Sequence, residues 1–286
     1  MKTAKLLILI VLLAGVVKAQ RPVTKPKQTP AKSATTTVEA PPTGLPTDEL
    51  FEHYVLKHAD GPAPEGYGMS PNMLIPVGAY VEDLANQTKI TAQLNRFLKT
   101  YLWADGSPLI YAGRTSKMIN GVNVDIFLLT KTGGKDTVTL YTDLYKMAPV
   151  YPPKGFKFLT KEQLATEFAP VLAQLKAYYA MPDRYANPAA VSASFQLLSF
   201  MQSYVGLDYL MDKDYIGQLL NDVGVDFDLK AFLVRSFIFH RLEYEVTGQP
   251  NAKIKAYNAM VDDYQVAIKA HDIMLKGTLA SYMVKK

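Results

Sequence analysis

The chain contains no cysteine. That one absence excludes disulfides, thiol nucleophiles and thiolate metal sites, so the fold must stand on packing alone. Histidine occurs four times, as His53, His58, His240 and His271. Neither the His-Glu-x-x-His zinc signature nor the Glu-x-x-His pair of di-iron bundles can be traced through them. The sequence also lacks a Gly-x-Ser-x-Gly nucleophile elbow and a glycine-rich phosphate loop ahead of a helix. Asp212–Val223 starts with alternating acids, as calcium loops do. Ile216 and Leu220 then stand where oxygen ligands are needed, and no acid closes it. No apolar run reaches the roughly 20 residues that span a bilayer.

A basic surface is missing too, although the formal net charge is +5. Lys2, Lys5 and Lys18, with Arg21, Lys25, Lys27 and Lys32 set against Glu39, account for more than that excess. Thr47–Lys286 is left near neutral, at −1. Nucleic acid, which is bound through clustered lysine and arginine, is therefore not an expected partner.

What is present begins with an address. Lys2 and Lys5 precede the apolar run Leu6–Val17, and Val17-Lys18-Ala19 offers the small or modest residues that a signal peptidase reads. Residues 1–19 read as a signal peptide, which implies export to the periplasm or the medium and no transmembrane segment after cleavage. Residues 20–46 are rich in Pro, Thr, Ala and Lys, contain no aromatic residue, and read as a disordered linker.

From Thr47 the composition turns globular. Thr47-Asp48-Glu49 has the form of a helix start, with the helix running to about His58. A second helix is predicted over Val77–Trp103 from the spacing of Leu84, Ile90, Leu94, Leu98 and Leu102. Asn120-Gly121 and Gly133-Gly134 are two-residue hairpin turns. They fold Leu109–Ile119, Val122–Lys131 and Lys135–Tyr145 into a three-stranded antiparallel meander. The second turn sets Phe127 opposite Leu140 and Leu129 opposite Val138, and the first places Arg114 diagonally from Asp125, an expected ion pair. One sheet face should pack on the two preceding helices. Residues 47–148 thus form an α+β module, and the proline-rich stretch 149–159 reads as a linker.

Residues 160–286 read as a helical bundle. Thr160-Lys161-Glu162-Gln163 is a capping box, and Pro170 should kink the helix that follows. Asn187-Pro188 starts another helix. Val205-Gly206-Leu207-Asp208 and Val223-Gly224-Val225-Asp226 are similar helix–helix corners. A long helix over Asp226–Thr247 precedes one from about Asn251. Its Ile254, Tyr257, Val261, Tyr264, Ile268, His271, Leu275, Thr278 and Tyr282 form a heptad seam. The fold class is α+β: the helix-plus-meander module, then the bundle.

Two chemistries can be built from these residues. Ser236, His240, Glu243 and Thr247 lie on one stripe of their helix, which reads first as a polar, solvent-facing face. Alternatively His240 and Glu243 meet His271 and Asp272 across the bundle and hold a divalent metal, as a metal-binding or metal-dependent bundle would. His271 in the seam is otherwise a hydrogen-bonded core residue. No cofactor is otherwise implied. The second chemistry is recognition. The 18 tyrosines, among them Tyr178, Tyr179, Tyr185, Tyr204, Tyr209, Tyr215, Tyr244, Tyr257 and Tyr264, either fill the bundle core or offer faces to a sugar or a protein. The expectation is an exported, non-enzymatic module that binds an envelope protein or a glycan, with a structural envelope component as the alternative. Export predicts cleavage after Ala19. Intact-mass and N-terminal analysis of protein recovered outside the cytoplasm should give Gln20 as the first residue, and retention of Met1 there would refute it.

Overall fold

The computed structural model describes residues 44–81, 86–134, 137–211 and 227–271, and over these the chain is α+β. The stretches read as signal peptide and as linker up to Thr43, Leu84, the calcium-loop-like stretch, the residues Val223–Asp226 read as a second corner, Asp272 and the expected seam beyond His271 lie outside the described residues.

Helix α1, Asp48–Tyr54, starts on the Thr47 side chain, which accepts the Leu50 amide, and ends earlier than predicted at an extended Val55. Strand β1 is Ile75–Pro76 and helix α2 is Gln87–Thr100, capped by Asn86. The helix expected over Val77–Trp103 is thus shorter at both ends. Strand β2, Tyr101–Trp103, replaces its last turn and pairs with β6, Phe156–Phe158. The cause is cross-strand aromatic packing: Trp103 stacks on Phe156 at 4.7 Å and Tyr101 on Phe158 at 5.8 Å. Rings of this size gain more in a paired strand than in a helix end. Residues 149–159 accordingly act as more than a tether, since Val150, Phe156 and Leu159 are buried.

The meander is present as β3 (Ile110–Ile119), β4 (Val122–Thr130) and β5 (Val138–Asp143), with the predicted registers Phe127↔Leu140, Leu129↔Val138 and Arg114↔Phe127. Strand β1 adds in parallel beyond β5, giving the order β1-β5-β4-β3. Phe127, Leu129 and Leu140 face a core with Ile75, Ile90 and Phe97, so α2 covers this face. Helix α1 does not join it. Leu50 and Tyr54 lie in the bundle core instead. On the other face Val124 and Ile126 are buried, while Val122 and Leu128 reach solvent.

The bundle comprises α3 (Lys161–Tyr179), α4 (Pro188–Tyr204), α5 (Leu207–Met211), α6 (Phe227–Val246) and α7 (Ala252–His271). The Thr160 capping box and the Asn187 cap form as read, and α3 continues through Pro170. At the first corner Gly206 takes φ +88°, and the amides of Val205 and Gly206 both bond the Met201 carbonyl. The seam of α7 is rotated from the expected one. Val261 and Tyr264 are buried, but Ala252, Ala256, Met260, Asp263 and Ala267 join them, while Ile254 is 54% exposed. Alanines let α7 lie close against α6, where the branched Ile254 would hold the axes apart.

Helix α6 is buried around most of its circumference, including Arg235, Ser236, Arg241 and Glu245. Arg241 donates to the carbonyls of Tyr209 and Leu210, sits 4.7 Å above the Tyr209 ring, and meets Glu49 at 3.0 Å and Glu245 at 3.4 Å. Glu245 also accepts the Thr47 hydroxyl, and its carbonyl takes the Thr47 amide at 2.8 Å. The network fastens α1 and α5 onto α6. Removing one partner strands a buried charge, so Arg241→Ala should cost about 3–5 kcal/mol. The double variant Arg241→Met/Glu245→Leu should recover much of this loss. Urea unfolding of the two proteins compares them directly.

Candidate functional site

Two places concentrate polar chemistry. The first is on α6 and α7. Ser236 and His240, one turn apart, both point at Asp263: the Ser236 hydroxyl donates to Oδ2 at 2.6 Å and His240 Nε2 lies 3.1 Å from the same oxygen. Arg184, from the loop between α3 and α4, grips the carboxylate with two bonds of 3.1 and 2.5 Å. Tyr179 stacks flat on the His240 ring at 4.7 Å, and the Arg184 guanidinium lies 5.4 Å from the Tyr179 ring. The stripe read as solvent-facing is therefore turned inward at Ser236, which is 1% exposed. The buried position of Asp263 was missed. Its signal was a carboxylate next to Tyr264 on the inner face of the last helix.

Burial alone pulls the His240 imidazole down, but Asp263 and Glu243 outweigh it and hold it above its ordinary 6.5. Burial likewise pushes the Asp263 carboxyl up, and His240, Ser236 and Arg184 more than reverse this, holding it below 3.8. A raised histidine contributes stability that is complete below 6.5 and lost as pH climbs through its folded value. A depressed aspartate contributes stability that is complete above 3.8 and lost as pH falls through its folded value. The cluster is strongest between these limits.

The chemistry of the cluster is that of a clamp. Serine donates to aspartate rather than to histidine, so no imidazole is placed to activate the hydroxyl. Of the four metal candidates, His240 and Glu243 approach to 3.7 Å between Nδ1 and Oε2, longer than a hydrogen bond. His271 is exposed and bonds Asp183 at 2.7 Å. It lies eight residues, about 12 Å of helix rise, beyond Asp263. It is thus neither a core residue nor a neighbour of His240: it continues the stripe of Tyr264 and Ala267, but residues 269–271 at the end of the described helix are all exposed. Asp272 lies outside the described residues. Among the described residues no three His, Asp or Glu groups are placed to hold a metal ion. The described tyrosines of the bundle resolve as core: Tyr178 and Tyr264 are buried, and Tyr179, Tyr185, Tyr209, Tyr244 and Tyr257 pack around them.

The second place is a half-open cleft of about 800 Å³ beside β1. Its wall is built by long-range pairing: Ala59 and Val150 exchange backbone bonds with Val150 and Lys57, at 2.8 and 2.9 Å. Lys57, Asp60, Asn72, Asp143 and Lys146 supply its polar groups. Tyr67 and Tyr151 supply rings, set edge-to-face at 5.5 Å and 84°. The Tyr67 hydroxyl accepts the Tyr151 amide at 3.3 Å, and the Tyr101 hydroxyl donates to the Tyr151 carbonyl at 3.0 Å, which fixes Tyr151 in place. Burial raises the Tyr67 phenol to about 12, so it stays protonated. His58 closes one side, stacked on Phe158 at 3.7 Å. The loop Asp60–Asn72 carries several of these residues, but nothing local to it points to Val150, so the cleft had no sequence signal.

No protein-family model, curated protein or solved structure matches the chain. Among the described residues no helix is long and apolar enough to cross a membrane.

The clamp yields one sharp expectation. Asp263→Asn removes one of the two charges that outweigh burial, so His240 should titrate lower than in the wild type. Histidine proton shifts followed by NMR across pH 4–9 read this directly. An unchanged titration would show that Asp263 does not govern the ring.

Proposed function

We propose that this protein is an exported, non-enzymatic binding module of the cell envelope or its surroundings, and that its ligand is a glycan received in the cleft beside β1. The observation that carries this reading is the composition of the cleft. Sugars are recognised by aromatic faces together with carboxylates, amides and ammonium groups that bond several hydroxyls at once. Tyr151, Tyr67, Asp60, Asp143, Asn72, Lys57 and Lys146 supply that set around a volume suited to a small ligand. Acids and bases are balanced there, which suits a neutral or zwitterionic sugar better than a polyanion.

The test is calorimetric titration with oligosaccharides released from the source cell's own envelope. Wild-type protein should bind at least one fraction. Tyr151→Ala should weaken that binding about tenfold, the scale of one lost aromatic contact of roughly 1.5 kcal/mol. Circular dichroism of the variant should match the wild type. If no fraction binds, the glycan reading fails. If an envelope protein is retained instead and the Tyr151 variant retains it equally well, recognition lies elsewhere on the surface.

A further inference from the structure

Strand β3 is ten residues long and forms the outer edge of the four-stranded sheet; no described strand pairs with its other side. The Asn120-Gly121 turn has two residues, so its closing pair Ile119↔Val122 is hydrogen-bonded and the pairs then alternate. The backbone groups of Arg114, Ser116 and Met118 therefore point away from β4. Long edges of this kind are normally blunted, because they template pairing with another chain. Here a bulge between Tyr111 and Gly113 blunts one end only, and Ile110, Tyr111 and Met118 stand exposed at 37, 52 and 71%.

We infer that β3 pairs antiparallel with β3 of a second copy, centred on Thr115. A two-fold axis perpendicular to the sheet keeps each side chain on its own face, so the axis must pass through a residue that pairs with its own copy. Centring on Arg114 or Lys117 sets like charges opposite each other. Centring on Ser116 lines up the two Asp125 carboxylates across the row with no cation between them. Centring on Thr115 sets Arg114 opposite the second copy's Ser116 and Lys117 opposite Gly113. Both outward-pointing pairs then exchange backbone bonds.

Asp125 supports this register. It is 1% exposed, and Arg114 and Ser116 share its Oδ1 at 2.8 and 2.5 Å, while Oδ2 is buried without a hydrogen-bond partner. In the Thr115-centred pair the row across the sheet reads Asp125, Ser116, then Arg114 of the second copy. That guanidinium lies two strand spacings away, about 10 Å between backbones, within reach of an extended arginine facing an aspartate. Each buried carboxylate is then flanked by an arginine from each copy. The bulge ends the pairing beyond Gly113, so the interface is short and the association is concentration-dependent.

The absence of cysteine makes the test clean. Directly opposed residues of a non-hydrogen-bonded pair lie about 4.5 Å apart at Cα, inside the disulfide range. Thr115 is such a residue in this register, whereas Lys117 and its copy lie about 14 Å apart. In purified protein under mild oxidation, Thr115→Cys should cross-link to a dimer at least about tenfold faster than Lys117→Cys. Sedimentation of the wild type should show a monomer–dimer equilibrium, and Thr115→Glu, which opposes two carboxylates, should weaken it at least about tenfold. A wild type that stays monomeric up to millimolar concentration overturns the inference. So does a dimer that Thr115→Cys fails to trap, which would place the contact on another face. Neither result bears on the cleft, whose ligand is read with separate variants.

Discussion

Most of the architecture hangs on the burial of one helix that is not fully apolar. Helix α6 is wrapped by its neighbours yet carries Arg235, Ser236, His240, Arg241 and Glu245. A buried polar group costs heavily unless it is partnered, so Ser236, His240, Arg241 and Glu245 dictate what must lie beside them. Arg241 and Glu245 require Glu49, Thr47 and the Tyr209 and Leu210 carbonyls, which sets the positions of α1 and α5. Ser236 and His240 require Asp263, which sets the rotation of α7, and Asp263 in turn requires Arg184 from the loop after α3. Apolar contacts carry no directional demand of this kind, whereas each hydrogen-bonded partner must sit at a set distance and angle.

The sheet poses the same problem at a single residue. Asp125 lies on the face that α2 covers, and it is tolerated because Arg114 and Ser116 reach it from the next strand while Arg114 also meets Tyr80. The two halves meet at the small β2–β6 sheet. Tyr101, Trp103 and Phe156 belong to the sheet core, and Leu102 and Leu159 to the bundle core. Alternation along a three-residue strand thus divides one pairing between two cores, and the proline-rich stretch holds the halves together as much as it separates them.

Legibility followed the range of the interaction. The Asn120-Gly121 turn, the strand registers, the Arg114–Asp125 pair, the Thr160 capping box and the Asn187 cap were readable, because each is decided by residues within about one hairpin or one helical turn. The second turn instead closes from Lys131 to Gly134, with Gly133 but not Gly134 at positive φ. Strands β1, β2 and β6 were not, since each exists only through a partner far along the chain. The candidate sites divide in the same way. His240 and Glu243 lie together because helical spacing puts them there, but His271, on the same stripe as the buried Tyr264, lies past the buried part of α7.

The sequence alone determined the α+β class, the meander and its register, and the helical nature of the second half. These follow from side-chain periodicity and turn chemistry, which act on neighbours. Only the tertiary structure decided that α1 belongs to the bundle, that Ser236 faces inward, and that Lys57 to Ala59 pair with Val150 to open a cleft. Those outcomes depend on which buried charges find partners and which small residues permit close approach. Both are properties of two surfaces meeting, and one strand or helix read by itself does not contain them.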